Sequence, residues 1–315
     1  MVRFLLRRLL MLVVTLLVSS FVIFTALYIA PGNPIATLSG GRSLPPEAVA
    51  QLEQRFHLDQ PFPVRYWEWL SGAVQGDFGV SISQRQDVSS LIASRISTTL
   101  ELVAYASAII LVVGIGMGVV GGLKPGAVDT GLLVVTTVLA ALPAFVASTF
   151  LIGTFSVGLG WFPSLGNGEG FVGRIHHLTL PAVALAGASM ALVARVTRTS
   201  VRGEMNREHV QTAVSRGLSR RTIIRRHVLR NAAIPITTVA GITIASLIAL
   251  AAVVERAFSL NGLGSYLVAA AASKDFAVVQ GISLVLVTVF VVLNTIVDLL
   301  YAVLDPRVKL GTRAT

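Results

Sequence analysis

Five histidines, His57, His176, His177, His209 and His227, are the side chains of this sequence best suited to bind a metal or move a proton. None lies in an H-E-x-x-H spacing, and the adjacent pair His176-His177 would rarely aim both rings at one ion, so they read as surface or packing residues. The sequence contains no cysteine, which removes disulfides, thiolate zinc sites and cysteine nucleophiles together. It also lacks G-x-x-x-x-G-K-[ST] and so offers no P-loop for ATP phosphates. The glycine-rich run Gly166-Asn167-Gly168-Glu169-Gly170 is no substitute: it does not open a helix after a strand, and it reads as a turn. Glu101, Arg195, Glu255 and Asp298 fall near the ends of apolar stretches, which argues against a proton relay built on a midplane carboxylate. The distinctive segment lies between Arg195 and Pro235, where ten arginines run from Arg195 to Arg230 with few acids among them.

That segment reads as two short helical patterns divided by Gly217, a helical hairpin on a membrane surface. Ile223, Ile224, His227 and Val228 recur at helical spacing on one face, while Arg221, Arg225 and other arginines spread around the rest. Gly217 can take the left-handed conformation that ends a helix, and Ser219 suits the N-cap of the next. Ala213 and Gly217, four apart, would leave a small-residue notch open to a partner. Most of the individual arginines are explained by topology and anionic lipid alone.

The elements that must position this hairpin are apolar spans. Hydrophobic residues make up 54% of the 315 positions and charged residues 13%, a balance for which lipid must be much of the solvent. A net charge of +10 would suit nucleic acid only on a soluble basic face, whereas here the basic residues lie between apolar runs, so no nucleic-acid partner is expected. Six spans are expected at 9–30, 97–122, 130–159, 180–196, 236–254 and 280–304. The first runs into Pro31-Gly32-Asn33-Pro34 rather than a cleavage site and reads as a retained anchor. With the N-terminus inside, seventeen Lys and Arg fall on inside segments and eight on outside ones, so both termini are expected in the cytoplasm. Gly114, Gly116 and Gly118 in the second span and Pro143 in the third suggest close helix packing and a kink.

The hairpin sequence carries a resemblance. Glu208-His209-Val210-Gln211-Thr212-Ala213-Val214-Ser215-Arg216-Gly217-Leu218-Ser219 resembles the EAA loop of binding-protein-dependent ABC permeases. Arg226-His227-Val228-Leu229-Arg230-Asn231-Ala232-Ala233-Ile234-Pro235 is similar to the form that loop takes in the dipeptide and oligopeptide branch. Gln211 and Thr212 stand where the loop's Glu and first Ala are often found, and Arg230 where many permeases have proline. The resemblance extends along the chain: His57 to Tyr66 and Gly76-Asp77-Phe78-Gly79-Val80-Ser81 look like the branch's extracytoplasmic insertion. So do Glu255 to Gly264, Asp298-Leu299-Leu300-Tyr301 and Asp305-Pro306-Arg307 like its C-terminal part, and the long insertion favours the B-type subunit.

The resemblance implies an all-α integral membrane protein with the fold of a type I ABC importer permease. It would have a first helix within 1–30, an extracytoplasmic insertion at 31–96, a transmembrane core at 97–304 with a coupling loop at 197–235, and a cytoplasmic tail at 305–315. It implies a second permease subunit, two ATP-binding subunits that hold ATP and Mg, an extracytoplasmic substrate-binding protein, and no cofactor on this chain. ATPase coupling would fall to Glu208, Thr212, Ala213, Arg216, Gly217, Leu218, Ser219, His227, Leu229, Arg230, Asn231 and Pro235. Di- or oligopeptides are the implied cargo, in a branch that also includes nickel and oligosaccharide systems. The aromatic residues Phe62, Tyr66, Trp67 and Trp69 suit either an interfacial belt or a folded cap. An ion-coupled secondary transporter is the alternative, although no pair of broken helices in repeated halves stands out.

Overall fold

The structure is a computed structural model that describes residues 2–29, 45, 47 and 60–304. Arg42, Arg55, His57 and the expected cytoplasmic tail 305–315 lie outside these residues, as does most of the segment 31–59. The chain is helical: α1 (Val2–Ile29), α2 (Phe62–Val74), α3 (Val88–Leu123), α4 (Ala127–Ala141), α5 (Ala144–Gly158), α6 (Gly170–Met205), α7 (Glu208–Ser215), α8 (Arg220–Ala257), α9 (Leu263–Ala272) and α10 (Phe276–Leu304). Among the described residues, α1, α3, α6, α8 and α10 are long and apolar enough to cross a membrane, and α4 with α5 makes a sixth span if taken as one.

Two compact units are present. One comprises 100–260 with the end of α10 from Val292, and α6 is its axis. At 36 residues α6 is about 54 Å long, well beyond a hydrocarbon core of about 30 Å, so its C-terminal turns carry the chain to the hairpin. The expected span at 180–196 is thus only the middle of this helix, and Arg195 lies within it rather than at its end. The second half of α3 packs on α6 through glycines four apart. A Cβ on Gly114 would lie 3.1 Å from Met190 Cγ, one on Gly118 would overlap Thr197, and one on Gly122 would lie 2.8 Å from Val201 Cβ. Gly116 has open space around it, so the packing stripe is Gly114, Gly118 and Gly122.

The third span is not one helix. Its halves α4 and α5 meet at 105°, with Leu142 (ψ 115°) and Pro143 (ψ 145°) extended between them. Proline biases the residue before it away from helix and has no N–H of its own to continue the ladder. Single π-helical stretches interrupt α3 at Ile110–Gly114 and α8 at Ile223–Val228, and another ends α5 at Ile152–Gly158. The run Gly166–Gly170 is irregular and has left-handed Gly166, Gly168 and Gly170; it does lead into α6, but no strand precedes it among the described residues.

The other unit comprises 2–99 and 261–291. Here α2 lies along α1: Phe62, Tyr66 and Trp69, on one face of α2, meet Phe21, Phe24 and Tyr28, and Ser20 Oγ is 2.9 Å from Tyr66 Oη. Trp67 points away and is 68% exposed, so the aromatic cluster divides into a packed trio and one surface ring. The start of α3, at Val88 rather than 97, packs Val88, Leu91 and Ile92 against Leu263, Ala270, Val278 and Ile282. Thr99 Oγ1 accepts the N–H of Leu263 at 2.9 Å, satisfying a free donor at the start of α9.

Candidate functional site

The hairpin is built from the end of α6, all of α7 and the start of α8. α7 ends in a Schellman turn: the N–H of Leu218 donates to the Ala213 carbonyl at 3.2 Å, and that of Gly217 to Val214 at 2.9 Å. Gly217 has φ 72°, the left-handed region expected of it. Ser219 caps the next helix, its Oγ accepting the Thr222 N–H at 3.4 Å. The reversal is therefore written into two residues, one without a Cβ and one with a hydroxyl.

The notch and the apolar face differ from the sequence expectation. Ala213 is buried, and so are Ile223 and Val228, in a cluster with Val201, Val210, Ala232 and Ile236. Helical periodicity marks a face that is covered, and here the chain covers it itself. The open part of the notch is Gly217, around which a Cβ would meet nothing within 4 Å, and the exposed apolar side chains beside it are Val214 and Leu218. Glu208, Thr212, Arg216, Ser219, Arg230, Asn231 and Pro235 are also exposed, whereas His227 and Leu229 are half-buried. Thr212 Oγ1 bonds its own helix at the Glu208 carbonyl, 2.9 Å away.

A polar seam holds the hairpin arms together. Asn231 Nδ2 donates to the His227 carbonyl at 2.9 Å and lies 3.2 Å from His209 Nε2. The same ring nitrogen faces α6, with His209 Nε2 3.6 Å from Glu204. His209 was not among the expected site residues, yet it joins α6, α7 and α8.

A second feature was missed. Asp129, in the first turn of α4, is 5% exposed and accepts from two arginines of α6. Arg198 forms a fork with it, Nε to Oδ1 and Nη2 to Oδ2 (2.6 Å), and Arg202 Nη1 reaches Oδ2 at 2.9 Å. Asp129 is the one acid between Glu101 and Glu169, a signal visible in the sequence. Elsewhere, Glu101 pairs with Arg174 at 2.6 Å and Arg195 donates to Thr137 Oγ1 at 2.9 Å, while Glu255 is fully buried. The side chain of Asp298 lies outside the described residues. Among the described residues no group of three His, Cys, Asp or Glu could hold a metal ion.

An all-helical membrane chain with this element order has the fold of an ABC importer permease. It superposes on a chain of the inward-facing MetNI methionine ABC transporter with a TM-score of 0.55, at 17% identity, over 68% of this chain and 96% of that one. A chain in the crystal structure of an amino acid ABC transporter with histidines matches with a TM-score of 0.51 at 17% identity, over 69% and 94%. The protein belongs to the family of binding-protein-dependent transport system inner membrane components, which residues 110–310 match, and residues 1–103 match the corresponding N-terminal family. It is 35% identical to the oligopeptide transport system permease protein AppB of Bacillus subtilis (strain 168), over 98% of this chain and 100% of that one. It is 34% identical to the glutathione transport system permease protein GsiC of Shigella flexneri serotype 5b, over 98% and 99%. The chain is thus a multi-pass permease subunit of an ATP-driven importer rather than an ion-coupled carrier.

Proposed function

We propose that this permease carries di- or oligopeptides across the plasma membrane of a prokaryotic cell and couples to its ATPases through the hairpin around Gly217. The observation that carries the coupling reading is the exposed tip: a left-handed Gly217 flanked by exposed Val214 and Leu218 and rimmed by Arg216, Arg220 and Arg221. Such a tip can enter a groove on a partner, and Glu208, Thr212, Ser219, Arg230, Asn231 and Pro235 lie on the same arms. Ala213, His227 and Leu229 would act from beneath, by holding the tip in shape. The count of basic residues supports cytoplasmic termini and a cytoplasmic hairpin, on the side where ATP is available.

In this reading the chain is one of two permease subunits, with an extracytoplasmic insertion at 31–96 and a core at 97–304. Two separate ATP-binding subunits hold ATP and Mg, since this sequence has no P-loop, and membrane lipid surrounds the spans. A binding protein outside the cell selects the cargo. The names of the oligopeptide and glutathione permeases that align with nearly the whole chain support a peptide cargo.

Gly217→Trp tests the coupling reading. Uptake is expected to be lost while membrane insertion is normal; retained ATP-driven uptake would overturn it. The cargo is identified by mass spectrometry of the ligand that copurifies with the partner binding protein, and a ligand that is not a peptide would overturn that part.

A further inference from the structure

The hairpin needs a mechanical path into the membrane. Val201 of α6 belongs to the hairpin core with Val210, Ala213, Ile223 and Val228. Arg198, almost one turn before it, and Arg202, the residue after it, are both gripped by Asp129 from the start of α4. The same stretch of α6 is also pressed by α3, where Gly118 meets Thr197 and Gly122 meets Val201 with no room for a side chain. The α6 segment 197–202 is therefore held by three elements at once: the hairpin, α3 and α4.

We infer that Asp129 is a positioning residue for energy coupling, the latch through which displacement of the hairpin is passed from α6 to the broken α4–α5 span. This rests on the coupling reading above. Three properties favour a latch over a mere surface pair. The carboxylate is buried, the Arg198 contact is a fork that fixes orientation as well as distance, and Arg202 binds the same oxygen from the following turn. A shift of this turn of α6 relative to α4 would have to break charged contacts to a carboxylate that is itself shielded from water. The α4–α5 break at Leu142–Pro143 supplies a place where movement of α4 need not be followed rigidly by α5.

The test uses the complete transporter with its ATPase subunits, reconstituted in lipid nanodiscs, and its binding protein as purified. Asp129→Asn should leave the ATPase subunits bound and basal ATP hydrolysis present, but cut the stimulation of hydrolysis by the binding protein about tenfold. Asp129→Glu should recover part of that stimulation, and Arg202→Gln, which removes one contact at a more exposed residue, should show a smaller loss. Because the chain has no cysteine, spin labels at Ser215→Cys and Thr130→Cys report directly on the link. Their separation should keep one narrow distribution with and without ATP plus vanadate in the parent, and broaden in Asp129→Asn. Unchanged stimulation and an unchanged distribution would overturn the latch, as would basal and stimulated hydrolysis falling in equal proportion in both Asp129→Asn and Arg202→Gln. Failure of the coupling reading is seen separately, as a Gly217→Trp transporter that still binds its ATPases and is still stimulated.

Discussion

The carboxylate of Asp275 accepts a 2.7 Å hydrogen bond from the hydroxyl of Ser81, 194 positions earlier in the chain, and both residues are buried. The same oxygen accepts from the N–H and the hydroxyl of Ser83 at 3.0 and 2.7 Å. The loop between α2 and α3 is thus clasped to the turn between α9 and α10 by one acid. Asp275→Ala would strand the buried Ser81 hydroxyl and release the two donors of exposed Ser83, and is expected to cost about 1–3 kcal/mol, because the buried donor loses its partner without regaining water. Asp275→Asn, which keeps an acceptor oxygen, should cost less. The order of the two is read from denaturation midpoints of the detergent-solubilised protein; equal midpoints for Asp275→Ala and the parent would contradict the clasp.

The glycines of α3 should separate by face. Gly118→Val places branched carbons where Thr197 and the Ala194 carbonyl already stand, so α3 and α6 must move apart and folding should fail or lose several kcal/mol, about 3 or more. Gly116→Ala meets open space and gains helix propensity, so it should be neutral or slightly stabilising. Yield of monodisperse protein after solubilisation distinguishes the two.

Much of this architecture was legible in the sequence, for local reasons. An apolar run of about 20 residues marks a span whatever surrounds it, and Gly217 and Ser219 punctuate the hairpin through their own backbone and side-chain chemistry. The covered face was harder. The spacing of Ile223 and Val228 says that they share a side, not that Val201 and Val210 of the same chain would fill it. The Asp129 latch was hidden for a related reason: Arg198 and Arg202 lower the hydropathy of α6, so the apolar span seems to end at 196 although the helix runs on to Met205. Pro143 announced a kink, but a bend of 105° depends on what each half packs against.

At the hairpin turn, backbone conformation should dominate substitution effects. Gly217→Ala puts a Cβ on a residue at φ 72° and is expected to cost about 1 kcal/mol, with Gly217→Asn milder because asparagine tolerates that region. Ser219→Ala removes the cap of α8 at a further cost of about 1 kcal/mol. Hydrogen exchange of the 208–223 amides is the measurement: all three should speed exchange there, in the order Ala at 217 above Asn at 217. An inverted order would show that the left-handed turn is not maintained.

The divided aromatic cluster gives the sharpest contrast between neighbours. Phe62 packs edge-on against Phe21, Phe24 and Tyr28, with ring centroids 5.0–6.0 Å apart, so Phe62→Ala should cost about 3 kcal/mol of local stability and free α2 from α1. Trp67, one helical step from Tyr66 and exposed, contributes nothing to that contact, and Trp67→Ala should leave α2 docked. Limited proteolysis within Phe62–Val74 reads the outcome directly: faster cleavage is expected for Phe62→Ala and the parental rate for Trp67→Ala. Tyr66→Phe, which keeps the ring but loses the 2.9 Å contact with Ser20, should fall between them. Equal protection in all three would mean that α2 is held by something other than its aromatic face.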